Sequence, residues 1–69
     1  MQYSIGDIFI DIRGDQKRTF LITDAYIDGL GPINYELHIM PDEKDDVWSH
    51  YMLKTYVDRG YLVYYPVVK

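Results

Sequence analysis

Apolar and polar side chains alternate along most of this chain. The first alternating stretch, residues 7–12, sets three isoleucines on one side of an extended segment and Phe9 with two aspartates on the other. A period of two is typical of a half-buried strand. A second strand is predicted over residues 18–27, where β-branched and aromatic residues suit a pleated surface. We expect a bend in it where Asp24 interrupts the alternation.

Glycine, proline and charged residues separate these stretches. Residues 13–17 supply the glycine and polar side chains of a hairpin connection, and residues 28–32 hold two glycines and a proline, which predict a turn. Alternation resumes over residues 34–40 and predicts a third strand with one water-facing side. The sequence PDEKDD at residues 41–46 predicts a charged turn, followed by a short fourth strand at residues 47–49.

The period then changes to that of a helix. Apolar residues recur at helical spacing over residues 52–59, Gly60 stands where a helix C-cap favours glycine, and Ser49 is a candidate N-cap. Residues 61–68 predict a last strand that is apolar on both faces, with Pro66 at an edge or beyond the paired section. Because so short a chain holds little to cover the second face, we expect exposed tyrosine surface there.

Five short strands with one short helix before the last of them predict a mainly β fold. Tight polar connections favour a small five-stranded β-barrel, since curling the sheet limits its open edges. The 69 residues form a single domain, residues 1–69. A chain of this length buries only about 60% of its extended surface and has no material for a second core.

Short segments of the chain resemble a known group of proteins. These segments are YSIGDIF at residues 3–9, LITD at 21–24, YEL at 35–37, WS at 48–49 and GYL at 60–62. They resemble the small Src-homology-3-like barrels encoded by bacteriophages, and the Gly-Asp opening is shared with KOW-type ribosomal and transcription modules. The resemblance implies an SH3-like fold and a phage origin, and it carries over no catalytic residue.

The charge balance bears on the choice of partner. Eleven acidic and seven basic residues give a net charge of -4, which repels phosphate backbones and disfavours non-specific nucleic-acid binding. Arg13, Lys17 and Arg18 nevertheless gather in one stretch. A nucleic-acid-binding barrel is therefore an alternative, with these cations on phosphates and tyrosines stacked on bases. A third alternative is imitation of DNA by the acidic residues 42–46.

Cysteine usage and hydropathy bear on the compartment. The chain has no cysteine, which leaves neither disulfides nor thiolate metal ligands and fits a reducing environment. The opening MQYSIGDIF has no basic region or apolar run of signal-peptide length, and no run of about 18 apolar residues occurs elsewhere. We therefore expect a cytoplasmic protein without a membrane segment, in the host cytoplasm if the chain is phage-encoded.

The polar residues form no pattern that defines a catalytic or metal site. His38 and His50 are too few for a metal site, and residues 42–46 lack the glycine and distal glutamate of a calcium loop. Asp7 and Asp11 stand about 13 Å apart along one strand. We expect Asp7 to bond backbone amides of the adjacent turn and Asp11 to face solvent. The sequence predicts a protein that is not an enzyme and that uses no cofactor or metal.

The aromatic residues carry the functional prediction. Eight tyrosines and one tryptophan exceed what so small a core readily holds, because each buried ring occupies about 150–250 Å². Tyrosine and tryptophan dominate interface hot spots, so the rings left outside predict a module that binds a host protein and inhibits or redirects it. An open edge at the last strand would also allow a homodimer. The predicted partner-binding residues are the rings Tyr35, Trp48, Tyr51 and Tyr64 and the acidic rim Asp42, Glu43, Asp45 and Asp46.

Overall fold

The chain folds as one antiparallel sheet with a short helix. The computed structural model describes residues 3–15, 17–27 and 29–67. Its elements are β1 (Ile8–Asp11), β2 (Arg18–Ile27), β3 (Ile33–Met40), β4 (Lys44–Ser49), α1 (His50–Asp58) and β5 (Leu62–Tyr65). The strand order is β4-β3-β2-β1-β5, so β4 and β5 are the two edges of a sheet that is not closed. The predicted mainly β class, with one helix before the last strand, is confirmed.

The second strand links the two ends of the sheet. Residues 18–21 of β2 pair with β1, whereas β3 runs along nearly the whole of β2. The register between β2 and β3 shifts between Ile22 and Asp24. A bulge of this kind bends a strand and increases its twist, which confirms the bend predicted at Asp24.

The charged turn is shorter than the sequence predicted. The fourth strand begins at Lys44 and not at residue 47, so Asp45 and Asp46 belong to β4 and only residues 41–43 form the turn. The earlier start is possible because β4 pairs with β3 along its whole length, and Asp45 faces His38 across the two strands. Cross-strand pairing here overrides the low strand propensity of aspartate.

The helix begins earlier than predicted and ends where glycine allows. Ser49 is the N-cap, since its hydroxyl accepts a hydrogen bond from the Met52 amide, and α1 therefore starts at His50. Gly60 has φ 77°. Its amide donates to the Val57 carbonyl, and the next amide, that of Tyr61, donates to the Tyr56 carbonyl. This pair of bonds is the Schellman motif, which favours glycine at the left-handed position.

The core lies between the sheet and α1. Strand alternation is confirmed in β3, where every second side chain is buried. In β1 the buried face carries Phe9 and two aspartates, and the isoleucines lie on the other face. Leu53 is the buried residue of α1. The buried apolar residues are Phe9, Phe20, Ile22, Tyr35, Leu37, Ile39, Leu53 and Leu62.

The last strand is shorter than predicted. It pairs with β1 over Leu62–Tyr65, and Pro66 follows the paired section, as the sequence predicted. Residues 16, 28 and 68, predicted in two connections and in this strand, lie outside the described residues. Within the described ranges the helical content is α1 alone, and no helix has the length and apolar character needed to cross a bilayer.

Leu53 should be the residue through which α1 contributes most to stability. Replacing Leu53 by alanine should lower the free energy of unfolding by about 2–5 kcal/mol, because a cavity opens in a closed core. Met52→Ala, one position away on the same helix and 39% exposed, is the matched control and should cost far less. Denaturant titration measures both, and equal losses would contradict this packing.

Candidate functional site

Eight of the eleven aromatic rings fall into two groups, and the other three, Tyr26, Tyr51 and Tyr65, lie exposed outside them. The first group, here called the terminal cluster, consists of Tyr3, Phe9, Tyr35, His50 and Tyr64. The second group, here called the aromatic strip, consists of Trp48, Tyr56 and Tyr61 on top of the buried Phe20. Among the described residues no ring contact joins the two groups. The exposure of each group therefore decides which of them is the candidate site.

Tyr35 lies in the core and not at the surface, where its predicted partner-binding role requires it to be. Its side chain is 0% exposed, because it shares the inner face of β3 with Leu37 and Ile39. Burial of its hydroxyl is tolerated because the Tyr3 amide donates to it at 3.1 Å and His50 Nδ1 lies 3.1 Å away. A tyrosine with a satisfied hydroxyl can fill a small core as phenylalanine does.

Tyr64 is also committed to the interior of the fold. Its hydroxyl donates to Asp7 Oδ2 at 2.7 Å, and its ring stacks on Phe9 with centroids 5.1 Å apart. Burial, together with the bond to Asp7 and the charge of that carboxylate, raises the pKa of Tyr64 to about 12. The ring is half-buried and its hydroxyl is already bonded within the protein, so little of the side chain is available to a partner. The structure therefore does not support the predicted partner-binding role of Tyr64.

Asp7 has the structural role that the sequence predicted. Its side chain is 1% exposed and accepts hydrogen bonds from the amides of Ser4 and Val67, both at 2.8 Å, besides the Tyr64 hydroxyl. Donors of this kind compensate a buried carboxylate for lost water. The residues that Asp7 joins lie near the two ends of the chain.

The aromatic strip is continuous and half-exposed. Trp48 contacts Tyr56 with ring centroids 5.0 Å apart, and Tyr56 contacts Tyr61 at 5.8 Å. The three rings come from β4, from α1 and from the residue before β5. Phe20, which is 5% exposed, supports Trp48 from below at 5.2 Å. The strip therefore crosses three segments and is anchored in the core at one end.

Arg13 completes the strip on the side of the β1–β2 connection. Its guanidinium carbon lies 4.4 Å from the centroid of Tyr61 and 5.3 Å from that of Tyr56. Its Nε and one terminal nitrogen each donate to a different oxygen of Asp11, both at 3.2 Å. A guanidinium held by two bonds keeps its flat face over the rings, the geometry of a cation–π contact.

Asp11 does not face solvent as predicted. It is 8% exposed, because it lies on the same inward face of β1 as Phe9. Burial alone would raise the pKa of Asp11. The hydrogen bonds from the side chain and amide of Arg13, with the guanidinium charge, outweigh that effect and hold the pKa below its usual value. The ion pair with Asp11 thus holds Arg13 in position over the rings.

The predicted acidic rim is largely engaged within the protein. Asp42 pairs with Arg18 at 3.5 Å, and Asp45 bonds His38 Nδ1 at 2.9 Å. Asp46 is the rim residue that reaches the aromatic strip, since its Oδ2 accepts from the Trp48 indole nitrogen at 3.2 Å. Glu43 occupies the turn with φ 54°. The rim therefore contributes one carboxylate to the strip.

Of the four predicted rings, the structure places one in the strip and one alone at the surface. Trp48 is half-buried and lies within the strip. Tyr51 is 68% exposed, but its ring contacts that of His50 at 6.3 Å, away from the strip. The sequence reasoning missed Tyr56 and Tyr61, and it considered Arg13 only as a contact for nucleic acid. The available signal was Gly60, because a Schellman turn brings the residues before and after it, here Tyr56 and Tyr61, into contact.

The basic residues proposed for nucleic-acid binding do not form a free cationic group. Arg13 is bound to Asp11 and Arg18 to Asp42, and Lys17 is exposed. Two of the three positive charges are thus compensated before any phosphate approaches. The nucleic-acid alternative stays a prediction, but this geometry does not favour it.

The described part of the chain also has an uncharged cleft, and it has no cluster of metal-binding side chains. A cleft of ≈ 330 Å³ lies between Tyr3 and the turn end of the β2–β3 hairpin. It is lined also by Ala25, Tyr26, Ile27 and Ile33. It carries no charged side chain. Within the described residues no group of three or more histidine, aspartate or glutamate side chains is placed to hold a metal ion.

Comparisons with known proteins add no family to this description. No protein-family model matches the chain, and no curated protein and no solved structure matches it either. The candidate functional site is therefore defined by the contacts of the aromatic strip and Arg13 alone.

His50 should make stability depend on pH. Burial, as the largest cause, and the charge of Lys54 lower the pKa of His50 below its ordinary value of 6.5. The unfolded chain binds the proton more readily, and stability should be fully present above about pH 6.5 and fall as the pH decreases. His50→Gln should flatten this slope between about pH 8 and 5. The free energy of unfolding measured across that range checks it, and a slope unchanged in His50→Gln but lost in His38→Gln would contradict it.

Proposed function

We propose that this protein is a small non-enzymatic binding module whose docking surface is the aromatic strip with Arg13 and Asp46 at its margins. One observation carries the proposal: Trp48, Tyr56 and Tyr61 touch in sequence across three segments and stay half-exposed. The Tyr35 ring, by contrast, is fully buried in the core. A supported, continuous set of rings is what an interface hot spot requires.

Preorganisation supports binding by this surface. Arg13 is held by Asp11, the Trp48 indole nitrogen by Asp46, and Tyr61 by the turn at Gly60. Little side-chain freedom is then lost when a partner docks, and the entropy cost of association is reduced. Tyrosine and tryptophan also contribute large contact areas with few rotatable bonds.

The charges support a protein partner with apolar and cationic side chains. Asp46 adds a carboxylate at the Trp48 end, and the chain as a whole carries a net charge of -4. The charge of Arg13 is offset by Asp11. A lysine or arginine of the partner beside Asp46, with apolar groups on the rings, matches this pattern, and opposite charges speed the encounter.

An SH3-like fold and a host protein as the partner are what the sequence resemblance implies. The order β4-β3-β2-β1-β5, the bulged β2 and the helix before β5 support an SH3-like barrel that is partly open. The resemblance to phage-encoded barrels supports a host protein as the partner, which the module binds and thereby inhibits or redirects.

Substitutions in the strip should abolish capture of a specific partner. Immobilised protein is incubated with bacterial lysate, and retained proteins are identified by mass spectrometry. Tyr61→Ala and Trp48→Ala should each weaken binding about tenfold or more, the effect of losing a hot-spot ring. Tyr51→Ala, which removes an exposed ring outside the strip, should retain the partner.

Two further results separate docking from its alternatives. Tyr61→Phe keeps the ring and should keep binding, which controls for loss of structure. Retention of the same partner by both alanine variants, or its loss in Tyr51→Ala alone, would contradict the proposed surface. Binding of single-stranded oligonucleotides that weakens steeply with salt would favour the nucleic-acid alternative.

A further inference from the structure

The sheet carries a second set of apolar side chains on the face that points away from α1. Ile8 and Ile10 alternate along β1 with Phe9, which points into the core. Directly opposed residues of antiparallel strands share one face, so the partners of the two isoleucines on β2 and β5 lie beside them. The apolar side chains brought together in this way, here called the outer patch, are Ile8, Ile10, Leu21, Val63 and Tyr65.

The outer patch is separate from the core and stays partly exposed. None of its residues is among the described side chains that form the core cluster or pack against it. Four of them are half-buried, and Tyr65 is 51% exposed. The helix α1 lies on the opposite side of the sheet, where its Leu53 enters the core. Since α1 is the one helix of the described residues, no helix covers the outer patch.

The same face of the sheet becomes acidic beyond the outer patch. Asp24 of β2 is directly opposed to Glu36 of β3, and Asp45 of β4 lies on this face opposite His38. These three acidic residues are here called the acidic border. Among the described strand residues this face carries no lysine or arginine.

One pair within the acidic border is unfavourable in the protein alone. Like charges directly opposed across two strands destabilise a sheet. Within the described residues neither Asp24 nor Glu36 forms an ion pair, whereas Asp45 is bonded to His38 at 2.9 Å. A cation supplied from outside would therefore relieve a repulsion between Asp24 and Glu36 that the chain itself leaves in place.

We propose that this face of the sheet binds a basic amphipathic helix of another protein. The apolar side of that helix packs on the outer patch, and its lysine or arginine side chains lie beside the acidic border. Neighbouring strands are about 4.8 Å apart and a helix with its side chains is about 10–12 Å wide. A helix above β1 therefore contacts β5 and β2, and a long cationic side chain on the β2 flank extends to β3. Helices on both faces of a sheet are a common layer arrangement.

Charge complementarity selects this occupant over the others. A basic helix brings the cations that the acidic border lacks, and opposite charges also speed association. A second copy that docked by this same face would present a further set of acidic residues and no lysine or arginine. The phosphate groups of nucleic acid or of an anionic membrane are repelled by the acidic border.

Binding at this face is independent of the aromatic strip, and a synthetic peptide tests it. The probe has about 18 residues, with leucine at helical spacing and lysine along one flank. It should bind at least about tenfold more tightly than a scrambled peptide of the same composition or one with glutamate in place of lysine, and salt should weaken its binding. Amide chemical shifts should change at Ile10 and Val63. Equal affinity for the three peptides, or shifts confined to the Trp48 indole, would overturn the proposal.

Substitutions on this face give a second test with the lysine peptide. Ile10→Thr keeps a β-branched side chain suited to a strand but removes apolar surface, so it should weaken binding about tenfold. Glu36→Gln should weaken binding about threefold or more and raise the denaturant midpoint of the free protein, since it removes the repulsion from Asp24. Asp58→Asn, on α1 and with its side chain 60% exposed, changes the net charge equally and should leave binding unchanged.

The contrary results are equally defined. Binding that is unchanged in both Ile10→Thr and Glu36→Gln, or that is lost in Asp58→Asn, would overturn the proposal. Sedimentation of the wild-type protein without peptide should show no dimer that depends on this face. A dimer that dissociates in Ile10→Thr would assign the outer patch to a second copy and would also overturn it.

Discussion

The fold depends on one buried carboxylate. Asp7 accepts hydrogen bonds from the Ser4 amide, the Tyr64 hydroxyl and the Val67 amide, which lie near the two ends of the chain. A charge taken so fully from water needs such donors, and bonds to charged groups are each worth about 1.5–3 kcal/mol. A domain of this size has little core to spare, so a contact that fastens β5 to β1 contributes a large share of its order. The position of β5, and with it that of Tyr61 just before the strand, depends on this contact.

The terminal cluster and the aromatic strip differ in their positions because their rings contact different polar side chains. The terminal cluster packs toward the core, where the Tyr64 hydroxyl donates to Asp7 and the Tyr35 hydroxyl lies within hydrogen-bond distance of His50 Nδ1. The aromatic strip stays partly exposed, since its rings are joined by the turn at Gly60 and by the guanidinium of Arg13 at the protein surface. Part of the aromatic content is therefore gathered into one continuous, half-exposed strip. Only Tyr51 stands apart at the surface among the four rings first considered.

Local patterns predicted the elements well, and long-range contacts decided the site. Alternation predicted the strands, and Ser49 and Gly60 were recognised as caps of the helix because capping is a local property, although the predicted helix began two residues late. The early start of β4 could not be read from PDEKDD, since pairing with β3 outweighs propensity there. Alternation also placed Tyr35 on the face of Leu37 and Ile39, so its burial was available from the sequence, whereas a count of rings was not specific enough to show it. Arg13 and Tyr61 are far apart in the chain, and only the pairing of β1 with β5 brings them together.

The most direct test of this account is amide hydrogen exchange on Asp7→Asn, compared with the wild-type protein. Asparagine keeps the shape of the side chain but removes the charge to which the three donors bond. The account predicts that the Val63 and Tyr65 amides, which bond to β1, lose protection, while amides shared by β2 and β3 keep most of theirs. Unchanged protection in β5, or an equal loss in β5 and in the β2–β3 hairpin, would contradict the claim that Asp7 holds this strand in place.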